Sequence, residues 1–290
     1  MPDLHADCRT IAGTAQMNAA ASGEFSAHHP GEVLVAKQLG PVLQVWSAGR
    51  QVCSQPWEAP MLCLHTLPSP AGSADMVFAL GRNLEWQVLQ LQRGGFEPCA
   101  SGALTLPVCG TSAPLFGCAE VQCCRLPGDA GAWAILLSVW SNWLTVLDVG
   151  AGTLPAERRR QTDVPLAKCG DALPVSGALA PRILQLATWA DANSGCESAC
   201  DPCGNPAVAI VYADDTLQVL HLSCVNIDLA QAALLPGPWE LQNIGITELE
   251  RQCVLVPVRT NGGHRDAVPA GVLVVGQVIV PHDMHSRPSL

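Results

Sequence analysis

The chain has 290 residues, a formal net charge of −10 and 49% hydrophobic residues. That length accommodates one large domain or two smaller ones around a sizeable core. The acidic balance excludes a general polyanion binder, because such affinity comes from Lys and Arg neutralising phosphates.

Residues 1–31 are small and polar and read as a lead-in, with Thr14-Ala15-Gln16 as the end of a first strand. Asp3 and Asp7 interrupt any apolar core there, so the segment does not read as a signal peptide. No apolar run approaches the roughly 18 residues of a membrane-spanning helix. The expectation is a soluble intracellular chain whose 14 cysteines are mostly reduced.

From residue 32 a pattern recurs. Residues 33–37 (VLVAK) precede a short break and then 42–46 (VLQVW). Residues 76–80 precede Gly81-Arg82-Asn83 and a second run over 84–91. Residues 133–140 precede Ser141-Asn142 and 143–149, and residues 207–212 precede an Asp214-Asp215 break and 217–222. A fifth unit pairs 271–275 with 278–280 across Gly276-Gln277. Short apolar runs rich in Val and Leu, joined by Gly, Asn or Asp, predict β-hairpins, since those residues tolerate the left-handed backbone of tight turns.

The units begin roughly 40 to 75 residues apart, and a four-stranded propeller blade needs about 40–50 before insertions. Residues 151–180 and 191–206 read as the insertions. Weaker strand candidates lie between the hairpins, at 61–67, 104–108, 121–126, 183–189 and 253–258. A hairpin with one or two further strands is the makeup of a blade. The sequence thus predicts an all-β, WD40-like β-propeller over 32–281, incomplete with about five blades, followed by a polar tail at 282–290. A β-sandwich or a pair of small barrels is the competing architecture.

Several clusters carry conceivable chemistry. Cys196, Cys200 and Cys203 have thiolate spacing suited to zinc, but a fourth ligand is needed. Cys169, His221 and Cys224 are the conceivable donors, and none sits in a matching pair. A Cys-rich surface insertion without metal is expected. His282 and His285 read as a solvated tail, and Arg158-Arg159-Arg160 as a solvated loop in preference to a phosphate-contacting run. Cys123-Cys124 reads as strand, with one side chain inward. No nucleophile elbow, dinucleotide fingerprint or phosphate loop is present in the sequence. No catalytic, cofactor-binding or metal residue is therefore assigned.

The ordered set of Thr14-Ala15-Gln16, LVAK (34–37), IVYADD (210–215), GPWE (237–240) and VLVVGQ (272–277) resembles the first propeller of one family. That family comprises damaged-DNA-binding protein 1, the large subunit of the cleavage and polyadenylation specificity factor and the splicing factor 3b propeller subunit. No single motif is specific; their order is what carries the likeness. The resemblance implies a non-enzymatic scaffold in the nucleus that binds other proteins, such as the substrate receptors of a cullin-4 ubiquitin ligase in DNA repair. It implies nucleic-acid contact through the complex, and no membrane, small-molecule substrate or cofactor. A subunit of an mRNA 3′-end processing or splicing complex is the alternative within the family. A propeller enzyme with a central-channel site is the alternative of another class. Relative to the family's three propellers and helical domain, the chain reads as most of one propeller. An unclosed ring of that kind is expected to be unstable or to self-associate.

Overall fold

The computed structural model describes residues 17–26, 31–37, 42–69, 73–93, 95–107, 120–125, 133–140, 143–150, 160–166, 173, 182–188, 207–213, 220–236, 253–259 and 269–276. Within them the protein is all-β and holds no α-helix. Four sheets are antiparallel and four-stranded, and their strands follow chain order. The first contains β1 (Met17–Gly23), β2 (Glu32–Lys37), β3 (Val42–Ser47) and β4 (Arg50–Pro56). The second contains β5 (Met61–Leu67), β6 (Met76–Gly81), β7 (Glu85–Gln92) and β8 (Gly95–Ala103). The third contains β9 (Glu120–Arg125), β10 (Trp133–Ser138), β11 (Trp143–Gly150) and β12 (Gln161–Pro165). The fourth contains β13 (Arg182–Thr188), β14 (Ala207–Ala213), β15 (Leu220–Asp228) and β16 (Ala233–Pro236). A two-stranded sheet, β17 (Cys253–Arg259) with β18 (Pro269–Gly276), follows.

The sheets pack face to face, and their side chains divide into three cores. Leu34, Leu43 and Val45 of the first sheet meet Leu64, Val77 and Leu89 of the second. Phe78, Leu80 and Trp86 of the second meet Trp133, Ile135 and Leu137 of the third. Ala134, Leu136 and Val146 of the third meet Ile183, Ile210 and Val225 of the fourth. Strand β10 explains the sequence pattern: side chains alternate in direction along a strand, and here both faces are covered. Every residue of WAILLS is buried, so the run reads as uninterrupted hydrophobicity and not as alternation.

The first strands of successive sheets are neighbours in the order β1, β5, β9, β13 and β17. One repeated contact ties four of them together. Thr66 Oγ1 donates to the carbonyl of Ser22 at 2.7 Å, Cys123 Sγ donates to that of Thr66 at 3.8 Å, and Thr188 Oγ1 donates to that of Cys123 at 2.6 Å. Glutamines do the equivalent work near the last strands. Gln55 of β4 accepts from Phe96 N at 2.6 Å and donates to Phe96 O at 3.3 Å. Gln161 of β12 accepts from Thr105 N at 2.9 Å and donates to Thr105 O at 2.8 Å. A carboxamide has the donor and acceptor of a peptide unit, so it reads one residue's main chain as a neighbouring strand would.

The connection between the first two sheets has its own clamp. Asp75 accepts from Glu24 N and Ser69 N, each at 2.9 Å, while Asp75 N donates to Glu24 O at 2.8 Å. Losing a carboxylate that two main-chain donors share costs about 1–3 kcal/mol. Asp75→Ala is expected to lower the unfolding free energy in urea by that amount, and Asp75→Asn, which keeps one oxygen, by less.

The first three predicted hairpins are present as β2–β3, β6–β7 and β10–β11, and the fourth as β14–β15, whose second strand is Leu220–Asp228 and not 217–222. The candidates at 61–67, 121–126, 183–189 and 253–258 correspond to β5, β9, β13 and β17, to within a residue or two. Five expectations need correction. The strand predicted at 104–108 is instead β8, because Leu104–Pro107 leaves the sheet to meet Gln161. The insertion drawn at 151–180 contains β12. Residues 271–275 pair backwards with β17 across residues 260–268; 278–280, their predicted partner, lie outside the described residues. Cys123 and Cys124 are both buried, since β9 has a core on each face. Strand β1 falls within the segment read as lead-in, and Thr14-Ala15-Gln16 lies outside the described residues.

Candidate functional site

Of the residues weighed for metal or phosphate chemistry, Cys169, Cys196, Cys200, Cys203, His282, His285, Arg158 and Arg159 lie outside the described residues. Arg160 is exposed, and its carbonyl accepts from Asp148 N at 2.9 Å. His221 and Cys224 share β15, but three residues apart on a strand they project to opposite faces and do not form a ligand pair. The His221 ring stacks on Tyr212 with centroids 5.1 Å apart and planes 17° apart, and the Tyr212 hydroxyl lies 3.3 Å from Ser223 Oγ. Burial pushes the Cys224 thiol up to about 12, so it is a neutral packing group. Among the described residues no three His, Cys, Asp or Glu side chains are grouped to hold a metal.

A concave feature that the sequence does not announce lies at the rim between the first two sheets. It is a pocket of about 130 Å³, lined chiefly by Gln55, Trp57, Glu58, Asn83, Glu85 and Gln87. Three local structures position these groups. Gln55 is held by its bonds to Phe96, which fixes the end of β4. Trp57 follows β4 directly and is half-buried, packed against the core of the first two sheets. Glu85 opens β7 after a turn in which Leu84 adopts φ +66°.

A left-handed Leu is uncommon and needs support from its surroundings. Arg82 N donates to Pro60 O at 2.8 Å, Leu84 N to Gly81 O at 3.0 Å and Leu104 N to Leu84 O at 2.8 Å. Within that turn Asn83 Nδ2 donates to Glu85 Oε2 at 2.6 Å, and Glu85 N donates to Asn83 Oδ1 at 3.2 Å. Gly81 makes room for this: a Cβ there would stand 2.5 Å from Asn83 Oδ1. The pocket therefore offers one indole, two exposed carboxylates and three amide groups, and among the described residues no Lys, Arg or His lines it. The only sequence signal was the tryptophan set among polar and proline residues in QPWEAP.

No known protein family matches the chain, and no curated protein matches it either.

Proposed function

We propose that the protein is a propeller-type scaffold, its sheets acting as successive blades around an axis and its rims docking other proteins. The reading follows the resemblance to the first propeller of the damaged-DNA-binding, cleavage-factor and splicing-factor family, with partners in a nuclear complex and nucleic acid met through that complex. The observation that carries it is the run of side-chain bonds from Thr66 to Ser22, Cys123 to Thr66 and Thr188 to Cys123. One residue of each first strand grips the first strand before it, a contact that equivalent units repeating about a line would make. Such a frame presents loops and outer edges to solvent, and the outer strands β4 and β8 are polar and exposed along much of their length.

The test is affinity capture from nuclear extract with quantitative mass spectrometry, with and without nuclease. A reproducible set of proteins that survives nuclease is expected. Capture no greater than the bait-free control, or capture that nuclease abolishes, overturns the scaffold reading.

A further inference from the structure

We propose that residues 277–290 of this chain dock on the face of the first sheet that turns away from the second, and so close the row of sheets on itself. The inference rests on reading the sheets as blades about an axis, since that reading brings the end of the row back to its start.

Alternation along the strands defines the face. Leu34 and Ala36 of β2 and Leu43 and Val45 of β3 enter the core shared with the second sheet. Val33, Val35, Gln44 and Trp46 therefore project to the other side, and so does Val52, which precedes Cys53, a residue packed on that core. The main contacts of β1, β2 and β4 beyond their own sheet are with β5 and β8, which belong to the second sheet.

The centre of the outer face is nonetheless closed to solvent. Val35 is 2% exposed, and Gln44 Oε1 and Trp46 Nε1 are buried. Among the described residues neither atom has a hydrogen-bond partner. Burying an acceptor and a donor without partners is costly, so a cover that suits this face brings hydrogen-bonding groups. It also brings apolar side chains: Val33 is 37% exposed and Val52 46%, two of the three exposed large hydrophobics among the described residues. Glu32 is the one acidic residue of β1–β4, and it alternates with Val33 to the opposite side.

An extended apolar segment has both properties, since its main-chain N–H and C=O groups are free to pair. Val278-Ile279-Val280 is the one run of three β-branched apolar residues outside the described residues, and such residues favour the extended backbone. The run follows β18, which belongs to the sheet at the far end of the row. Residues 277–290 reach up to about 50 Å when extended, and the first sheet is about 20 Å across. Residues 1–16 suit the face less well, with Asp3, Asp7 and Arg9 among few large apolar side chains. A face covered from within makes the chain a monomer, in contrast with the self-association expected of an open ring.

The experiment follows the indole N–H of Trp46 in the ¹⁵N-labelled full chain, assigned by its loss in Trp46→Phe. Its solvent exchange is compared with that in a chain ending at Gly276 and in the full-length double variant Val278→Asp, Val280→Asp. Exchange at least tenfold faster is expected in both, while the Trp133 and Trp140 indoles, buried in another core, keep their rates. The peptide 277–290, added to the shortened chain, is expected to restore slow exchange. The double variant keeps the chain length and decides the matter if the shortened chain does not fold. Unchanged Trp46 exchange in the double variant overturns the assignment. So does slow exchange that depends on protein concentration, which would make the cover a second copy. Faster exchange on removal of residues 2–16 and not of 277–290 overturns it as well. The measurement needs no partner, so its failure is distinct from failure of the capture experiment.

Discussion

Trp133→Ala is expected to lower the unfolding free energy by about 3–5 kcal/mol, the range for deleting a large buried aromatic side chain. Trp133 is 1% exposed and opens β10, where its ring enters the core between the second and third sheets beside Ile135 and Leu137. Its backbone pairs with Arg125 on one side and Gly150 on the other, so the site has little freedom to collapse into the space left behind. A domain of this kind has about 5–15 kcal/mol in total, so the variant loses about a fifth or more of it. Urea denaturation followed by circular dichroism is the measurement. Because each sheet depends on its neighbours, loss of this junction is also expected to split a single transition into two. Leu106→Ala is the control: that side chain is 64% exposed, and its change is expected to stay within about 0.5 kcal/mol. A Trp133 variant as stable as the control would show that this core does not hold the second and third sheets together.

Stability is expected to fall on mild acidification, and His65 is the group responsible. It lies on β5 among Cys63, Leu64 and Leu67, and desolvation pushes its pKa down from 6.5 to about 4. The folded protein therefore holds the ring neutral, while the unfolded chain takes up a proton near pH 6.5. Stability is full above that value, declines as pH falls from about 6.5 to about 4, and levels off below. At about 1.4 kcal/mol per pH unit the loss is at most about 3.5 kcal/mol, and less because His65 is not fully buried. Carboxylates titrate at the acid end of the same window, so the informative quantity is the difference between wild type and His65→Leu. The variant is expected to show a flatter profile between pH 6.5 and 4. Parallel profiles would mean that His65 has the same pKa folded and unfolded.

The middle strands were legible because burial on both faces leaves a continuous apolar run. WAILLS in β10 and AVAIVYA in β14 signal strand with no help from context. The outer strands were not, because they have no such pressure. RQVCSQP in β4 and GFEPCASGA in β8 are polar and carry proline. Proline is tolerated at a sheet edge, where an N–H has no ladder partner to lose. The turn that leads into β4 was hidden as well. Ala48 and Gly49 both have positive φ, and Ala is a weak advertisement for that conformation. The rim pocket was illegible for a different reason. Trp57 and Glu85 are far apart in sequence, and they share a cavity because the first two sheets pack together, with the Gln55–Phe96 bonds joining β4 to β8 nearby. The thiol and hydroxyl contacts between first strands were equally hidden, since Thr66, Cys123 and Thr188 share no local motif.

Those contacts also have a direction. In each of the three, the donor belongs to the later strand and the acceptor carbonyl to the earlier one. A chain leaving the ribosome thus carries every anchoring hydroxyl or thiol towards a strand that has already been made. The second sheet can fasten to the first before the third is synthesised, and the third before the fourth. At these three contacts no first strand has to hold a hydroxyl or thiol donor in wait for residues still to come, and along this line the sequence of synthesis is also a feasible order of construction.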